Sequence, residues 1–211
     1  MMFFGQVSAS ISHEIKNALA IINENAGLLE DLVLMSAKGV PPDIDRLGRL
    51  GETIRRQVRR ADDIVKKMNQ FAHSADHIAE KVDLYETTCF ITDLCGRMID
   101  MGRVSVNAIP PPEPVGIYTH RFYLQNILWV CIASIMKASC PDAQIKIHFE
   151  TAARSAIMRF CVDPAPDSGF LENLFAGDAK VLGGYLQLQL VSGLPSGEIG
   201  IRLPARMQHQ P

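Results

Sequence analysis

SHEIKNALAI, residues 12–21, is the stretch from which the fold of the first third of the chain can be read. It lies within a longer run in which apolar residues recur every three or four positions, the pattern of an amphipathic helix. At about 100° per residue, His13 lies about 200° from Ile11 and about 160° from Ile15 around such a helix. We therefore predict that His13 is on the solvent-facing side, where an imidazole can meet a large partner and act as a nucleophile near neutral pH.

Two long helices joined by a short turn are predicted over residues 6 to about 77. Gly39 suits a helix stop, and Pro41 and Pro42 prevent the first helix from continuing. Asp43 or Asp45 can cap the second helix. Its apolar positions are spaced alternately three and four apart, a period of about 3.5 that is typical of helices packed along their length. The two helices are expected to form an antiparallel hairpin.

A single hairpin would leave much of the apolar stripe on its second helix in water. The predicted stripe consists of Ile44, Leu47, Gly51, Ile54, Val58, Ala61, Val65, Met68 and Ala72. Leu50, Ile64 and Phe71 widen it beyond what one partner helix can cover. A symmetric homodimer, which completes a four-helix bundle, is the predicted solution. The alternative is a monomeric hairpin packed on the second half of the chain.

The composition is that of an ordinary globular protein, with 211 residues of which 47 % are hydrophobic and 21 % charged. A net charge of −2 argues against a general nucleic-acid binder, which would be basic. The five cysteines are odd in number and form no CxxC pair, which favours a reducing compartment. No apolar run approaches the roughly 18 residues that span a bilayer. We therefore expect a cytoplasmic protein without a membrane contact, whose signal arrives through a partner unless the sequence is a fragment.

Two polar features of the second helix have competing interpretations. His73 and His77 could bind a metal ion together, but a third ligand is not evident nearby, so a solvated helix end is favoured and no metal site is predicted. The basic residues can either attract an acidic partner or form a solvated face with ion pairs to Asp62 and Asp63. These basic residues are Arg55, Arg56, Arg59, Arg60, Lys66 and Lys67.

The second half of the chain, from about residue 81, mixes helices with strands. Helical patterns cover residues 85–101 and 120–138. Strand-like alternation appears at residues 104–108, 145–149, 157–162, 186–190 and 199–203. The predicted fold class is therefore α+β, with a helical hairpin over residues 1–78 and an α/β sandwich containing one sheet over residues 79–211.

The motif at residues 12–21 resembles the dimerisation and histidine-phosphotransfer domain of sensor histidine kinases, and the resemblance covers the whole helical half. It implies that His13 accepts a phosphoryl group on a ring nitrogen. It further implies that Glu14 accepts a hydrogen bond from the imidazole, and that Asn17 positions a water for hydrolysis of a partner's phospho-aspartate. Ala18 departs from the family, which usually has proline there, so a straighter helix is expected.

The second half resembles the ATP-binding domain of the same kinases in a reduced form. Val130 and Ser134 occupy the positions of the two asparagines of the family's first nucleotide helix, and neither replaces a magnesium-binding amide well. Asp163 matches the adenine-binding aspartate, but the glycines that follow it in the family are replaced in VDPAPDSG, residues 162–169. The glycine-rich phosphate loop and its helix are expected to be missing, with Gly183 and Gly184 at the start of the final hairpin. We therefore expect this chain to bind neither ATP nor another cofactor.

Together these features predict a dimeric histidine phosphotransfer protein of a two-component phosphorelay. A response-regulator receiver domain would dock beside His13 and exchange a phosphoryl group with it, with magnesium supplied by the receiver. Two alternatives stay open. One is an active sensor histidine kinase with an atypical nucleotide site, and the other is a dimer that binds receivers without catalysis.

Overall fold

The chain folds into two compact units, Met1–Gln70 and Phe71–Pro211, in a computed structural model that describes residues 2–166 and 178–207. The predicted boundary lies between residues 78 and 79, in the segment that follows the second helix. The first unit contains the helix α1 (Met2–Ala37) and most of the helix α2 (Ile44–His73).

The two long helices form an antiparallel hairpin. Arg60 Nη2 on α2 lies 3.6 Å from Glu14 Oε2 on α1. These residues would be about 70 Å apart if α2 continued in the direction of α1. The ion pair therefore shows that α2 folds back along α1, as the sequence predicts.

The ends of the two helices depend on residues that the sequence marks. Gly39 has a φ of 89°, the left-handed conformation that favours glycine after a helix. Asp43 Oδ1 accepts a hydrogen bond from the backbone N–H of Arg46 at 3.0 Å, so Asp43 rather than Asp45 caps α2. The helix α1 continues without interruption through Ala18.

Only part of the apolar surface predicted on α2 lies in the interior of the hairpin. Leu50 and Gln57 are buried, with 8 % and 7 % exposure, whereas Val58 and Val65 are 52 % and 43 % exposed. An amphipathic helix with two neighbouring apolar stripes can turn either one toward its partner, because both stripes have the same period. Periodicity alone therefore does not identify the stripe that faces α1.

The second unit is built on a five-stranded sheet. Its strands, numbered in chain order and given in spatial order, are β2 (Ser105–Ala108), β4 (Gln144–Ala152), β5 (Ser155–Asp163), β7 (Glu198–Pro204) and β6 (Gln189–Val191). β2 is parallel to β4, and the other neighbours are antiparallel. A separate pair joins β1 (Glu80–Asp83) to β3 (Gly116–Thr119).

One face of the larger sheet is buried and carries the core of this unit. Alternate residues of the central strands point to it, among them Ile145, Ile147, Phe149, Met158, Phe160 and Ile201. The helix α3 (Leu84–Leu94) packs here, with the Tyr85 ring edge-on to that of Phe149 at a centroid distance of 6.0 Å. The helix α5 (Arg121–Ala138) packs against α3 and against α6 (Asp178–Tyr185). The predicted fold class, helices followed by an α/β unit, is confirmed.

Three local predictions need correction. The helix predicted over residues 85–101 is divided at Cys95, whose ψ of 8° ends α3 before α4 (Gly96–Met101) begins. The strand predicted over residues 186–190 begins only at Gln189, because Gln187 has a φ of 53°. Gly183 and Gly184 lie within α6 and not at the start of a hairpin. The segment between β5 and β6 therefore does contain a short helix.

Candidate functional site

His13 lies on the exposed surface of α1, as the sequence predicts. Asn17 is also exposed and follows one turn later. Residues four apart on a helix are about 40° apart around its axis, so the two side chains share one side of α1. The structure thus brings together a nucleophilic imidazole and an amide on a surface that a large partner can reach.

Glu14 occupies a different side of α1. Its side chain is 19 % exposed, and Oε2 lies 3.6 Å from Arg60 Nη2 on α2. The carboxylate therefore points into the hairpin, where it forms an ion pair with α2. The family resemblance implies that Glu14 accepts a hydrogen bond from the His13 imidazole. For that contact the carboxylate has to leave the ion pair with Arg60.

Two further polar side chains lie in the interior of the hairpin near this ion pair. Ser10 precedes Glu14 by one turn of α1, and Gln57 precedes Arg60 by one turn of α2. The Ser10 hydroxyl and the Gln57 side-chain oxygen are buried without a hydrogen-bond partner. Buried polar atoms are usually hydrogen-bonded. These two oxygen atoms can therefore each accept a further hydrogen bond inside the hairpin.

Three of the basic residues of α2 pair with acidic residues of the same helix. Glu52 lies 3.2 Å from Arg59 and 3.9 Å from Arg55. Asp62 accepts a bond from Lys66 at 2.6 Å, and this hydrogen bond raises the pKa of the Lys66 ammonium. These contacts favour the solvated-face interpretation for Arg55, Arg59 and Lys66. Arg60 differs because its partner is on the other helix.

Arg60, the partner of Glu14, and the buried Gln57 one turn before it are the residues of α2 that sequence reasoning missed. Arg60 entered the prediction only as one of a run of basic residues, and Gln57 did not enter it. Their positions follow from which side of α2 faces α1, and that orientation was not part of the prediction. The sequence carries one signal for them: the polar residue Gln57 lies in the series of apolar residues with Leu50 and Ile64, one turn before Arg60.

The described residues that were predicted at a reduced nucleotide site lie on two elements, α5 and β5. Val130 and Ser134 are half-buried on α5. Asp163 ends β5 and lines a cleft of about 360 Å³. The cleft is lined by Gln144, Lys146, Cys161, Val162, Asp163, Ala165, Ser196, Gly197 and Glu198. Asp167, Ser168 and Gly169, which belong to the same predicted motif, lie outside the described residues.

His73, the last residue of α2, makes a local hydrogen-bonding contact. His73 Nδ1 lies 2.8 Å from Asp76 Oδ2. Within residues 2–166 and 178–207, no three His, Cys, Asp or Glu side chains are grouped so that they could hold a metal ion. In the same part of the chain, no helix combines the length and the hydropathy needed to cross a bilayer.

Comparison of the sequence with protein families identifies the helical unit. Residues 5–76 match the profile of the His Kinase A (phospho-acceptor) domain. The match contains His13, Glu14 and Asn17 and most of α1 and α2. No curated protein matches the chain significantly.

Comparison of the structure with solved structures identifies the fold of the second unit. The catalytic domain of the histidine kinase ThkA aligns with a TM-score of 0.51 at 11 % identity, over 61 % of this chain and 96 % of that domain. ThkA in complex with the response regulator protein TrrA aligns with a TM-score of 0.50 at 16 % identity, over 97 % of this chain and 62 % of the other. Acinetobacter baumannii histidine kinase AdeS aligns at 13 % identity with a TM-score of 0.48, over 92 % of this chain and 98 % of that one. At these identities the similarity to ThkA establishes the fold alone.

Proposed function

We propose that this chain, whose residues 5–76 match the phospho-acceptor domain of histidine kinases and whose second unit has the fold of a histidine kinase catalytic domain, is a histidine phosphotransfer protein. In this role it exchanges a phosphoryl group between His13 and the aspartate of a response-regulator receiver domain. The observation that carries the proposal is the exposure of His13 within the matched domain, with Asn17 one turn later on the same side of α1.

The chemistry requires an accessible neutral imidazole. One ring nitrogen attacks the phosphorus of the receiver's phospho-aspartate with its lone pair, and the bond between phosphorus and the carboxylate oxygen breaks as the aspartate leaves. Glu14 accepts a hydrogen bond from the other ring nitrogen and stabilises the positive charge that develops on the ring. The receiver supplies magnesium for the phosphoryl oxygens, and Asn17 is placed to orient a water when the phosphoryl group is hydrolysed instead.

A receiver domain is the partner that this chemistry needs. The receiver's phospho-aspartate has to reach a side chain on the outer surface of a helix, which suits a folded protein that docks beside α1. The complex of ThkA with the response regulator TrrA is a precedent in a protein of the same fold. For such a partner α1 offers Asn17 on the same side as His13, and α2 offers Arg60, the partner of Glu14, with a side chain that is 59 % exposed.

The hairpin is proposed to act as a homodimer. Ile44, Val58 and Val65 are 70 %, 52 % and 43 % exposed, and they belong to a series on α2 with a spacing of seven. Apolar residues that recur every seven positions lie along one side of a helix and favour packing against another helix. A second copy of the hairpin covers this stripe and completes a four-helix bundle.

ATP and magnesium are the ligands that the fold of the second unit would imply, and the residues present do not fit them. Valine at position 130 offers no oxygen or nitrogen ligand, and Ser134 offers only a neutral hydroxyl. Asn126, one turn before Val130, is 7 % exposed and donates its amide hydrogen to Phe122 O at 2.6 Å. No step of the proposed mechanism therefore involves a nucleotide bound to this chain.

An ATP-dependent histidine kinase is the second candidate, favoured by the catalytic-domain fold. Two incubations separate the candidates. In one, the protein receives γ-labelled ATP and magnesium; in the other, it receives a receiver labelled on its aspartate. We expect label on His13 only from the receiver. Label from ATP alone would support the kinase and contradict the phosphotransfer proposal.

The third alternative, a dimer that binds receivers without catalysis, is tested by His13→Ala. We expect this variant to bind the receiver but to take up no label from it. Signalling that continues unchanged in cells carrying His13→Ala would favour the non-catalytic binder.

A further inference from the structure

Glu14 has a partner on the opposite helix that determines where its carboxylate lies. The 3.6 Å separation from Arg60 joins a Glu14 side chain that is 19 % exposed to an Arg60 side chain that is 59 % exposed. His13 is the preceding residue, and consecutive helical residues point about 100° apart. The carboxylate that the proposed reaction uses is therefore held toward α2 and away from the imidazole.

A second acceptor is available to Arg60. Gln57 lies three residues earlier on α2, a spacing that makes two side chains neighbours on a helix. Its side-chain oxygen is buried without a hydrogen-bond partner. Leaving such an acceptor unpaired is unfavourable, so a hydrogen bond from the guanidinium to Gln57 would offset the loss of the ion pair with Glu14. The spacing on α2 therefore makes Gln57 a second acceptor within the same neighbourhood of the helix as Arg60.

We propose that Arg60 is a positioning residue that holds Glu14 away from His13 and releases it when the guanidinium turns to Gln57. This inference rests on the proposed function, because it concerns the carboxylate that assists His13. Once released, Glu14 accepts the hydrogen bond from one ring nitrogen while the other nitrogen attacks phosphorus. A receiver that docks over the exposed guanidinium can favour this release, so docking and activation of the imidazole are coupled.

Phosphoramidate tests the positioning role without a receiver. In this reaction a ring nitrogen of His13 forms a bond to phosphorus, the phosphorus–nitrogen bond of the reagent breaks, and ammonia leaves. We expect Arg60→Gln to phosphorylate about threefold faster than the wild type, because the ion pair that it removes is partly exposed and correspondingly weak. The rate is measured by intact-protein mass spectrometry, with the site confirmed by peptide mapping.

Arg59→Gln is the matched control. Arg59 is the adjacent residue, its side chain is 62 % exposed, and its partner is Glu52 at 3.2 Å. Arg59→Gln therefore removes the same charge from α2 without changing the ion pair between Glu14 and Arg60. We expect it to be phosphorylated at the wild-type rate. Arg60→Lys keeps the cation and should restore a rate close to that of the wild type. In the Glu14→Gln background, Arg60→Gln should give no gain.

Several results would overturn the proposal. These are an Arg60→Gln rate equal to or below that of Arg59→Gln, a gain that persists in the Glu14→Gln background, and a wild-type His13 that phosphoramidate does not modify. Failure of the proposed function is read from a different reaction. A phosphorylated receiver that leaves His13 unlabelled would contradict phosphotransfer, while the phosphoramidate rates would still decide the role of Arg60.

Discussion

Glu80 and Arg121 join two parts of the second unit that are 41 residues apart in the chain. Arg121 Nε donates to Glu80 Oε1 at 2.6 Å, and this hydrogen bond lowers the pKa of the Glu80 carboxyl. Because the pKa of Glu80 is lower in the folded state than in the unfolded state, the pair stabilises the fold at pH values above the unfolded-state pKa. The stabilisation is lost as the pH falls through the lower folded-state value.

Arg121→Gln should therefore lower the free energy of unfolding by about 1 kcal/mol at pH 7 and by much less near pH 3. Urea unfolding can be followed by the fluorescence of Trp129, the one tryptophan of the chain, which is 5 % exposed in the second unit. Arg154→Gln, at an exposed turn position, is the control. The same loss at both pH values would contradict the role given to the pair.

The cysteines differ in reactivity because they differ in burial. Burial raises the pKa of the Cys131 thiol to about 12, whereas Cys140 is exposed. The thiolate is the nucleophile, so iodoacetamide should modify Cys140 in the native protein and Cys131 only after unfolding. Peptide mass spectrometry measures both. Equal rates at Cys131 and Cys140 in the native protein would show that the core around Cys131 opens readily.

Two glycines precede β7 with a left-handed backbone, and Gly197 tolerates a side chain less well than Gly193. Gly197 has a φ of 84°, and a Cβ added there would lie 2.9 Å from Val162 O. Gly193 has a φ of 75°, but an added Cβ would meet no atom within 4 Å. We expect Gly197→Ala to cost about 3 kcal/mol and Gly193→Ala about 1 kcal/mol. Unfolding by urea, read from Trp129 fluorescence, gives both values; equal costs would contradict the clash at Gly197.

Sequence periodicity predicted the existence of most helices and strands, but it did not predict how α2 faces its partner. The spacing of apolar residues in α1 and α2 is long and regular, so their existence followed from it. The orientation of α2 did not follow, because Leu50 and Val58 belong to two stripes of the same period. That choice depends on packing with a partner, which one sequence does not contain.

The short elements of the second unit were also missed for physical reasons. β1 and β3 have four residues each, and they pair with each other although they are far apart in the chain. Such short segments carry too few alternations to be recognised. At the candidate site, the sequence placed His13 and Asn17 on the surface, whereas the partner of Glu14 became visible only when α2 was packed on α1.

The whole molecule is expected to be a dimer in solution, joined through the exposed stripe on α2. Replacing Val58 and Val65 with glutamate places charges in that interface, and we expect the dissociation constant to rise by about a hundredfold. Light scattering after gel filtration measures the mass. Val181→Glu, a change of the same kind at an exposed position of α6 that is not on this stripe, is the control. A wild-type protein that is monomeric at all concentrations would contradict the proposed bundle.

The most direct measurement is ³¹P NMR of the protein mixed with a receiver that carries a phosphoryl group on its aspartate. We predict a phosphohistidine resonance that grows as the phospho-aspartate signal falls. We also predict that this resonance is absent in His13→Gln and unaffected by His73→Gln, a second exposed histidine within the matched residues 5–76. A resonance that persists in His13→Gln, or a receiver that loses its phosphoryl group only to water, would contradict the role of His13 as a phosphoryl acceptor.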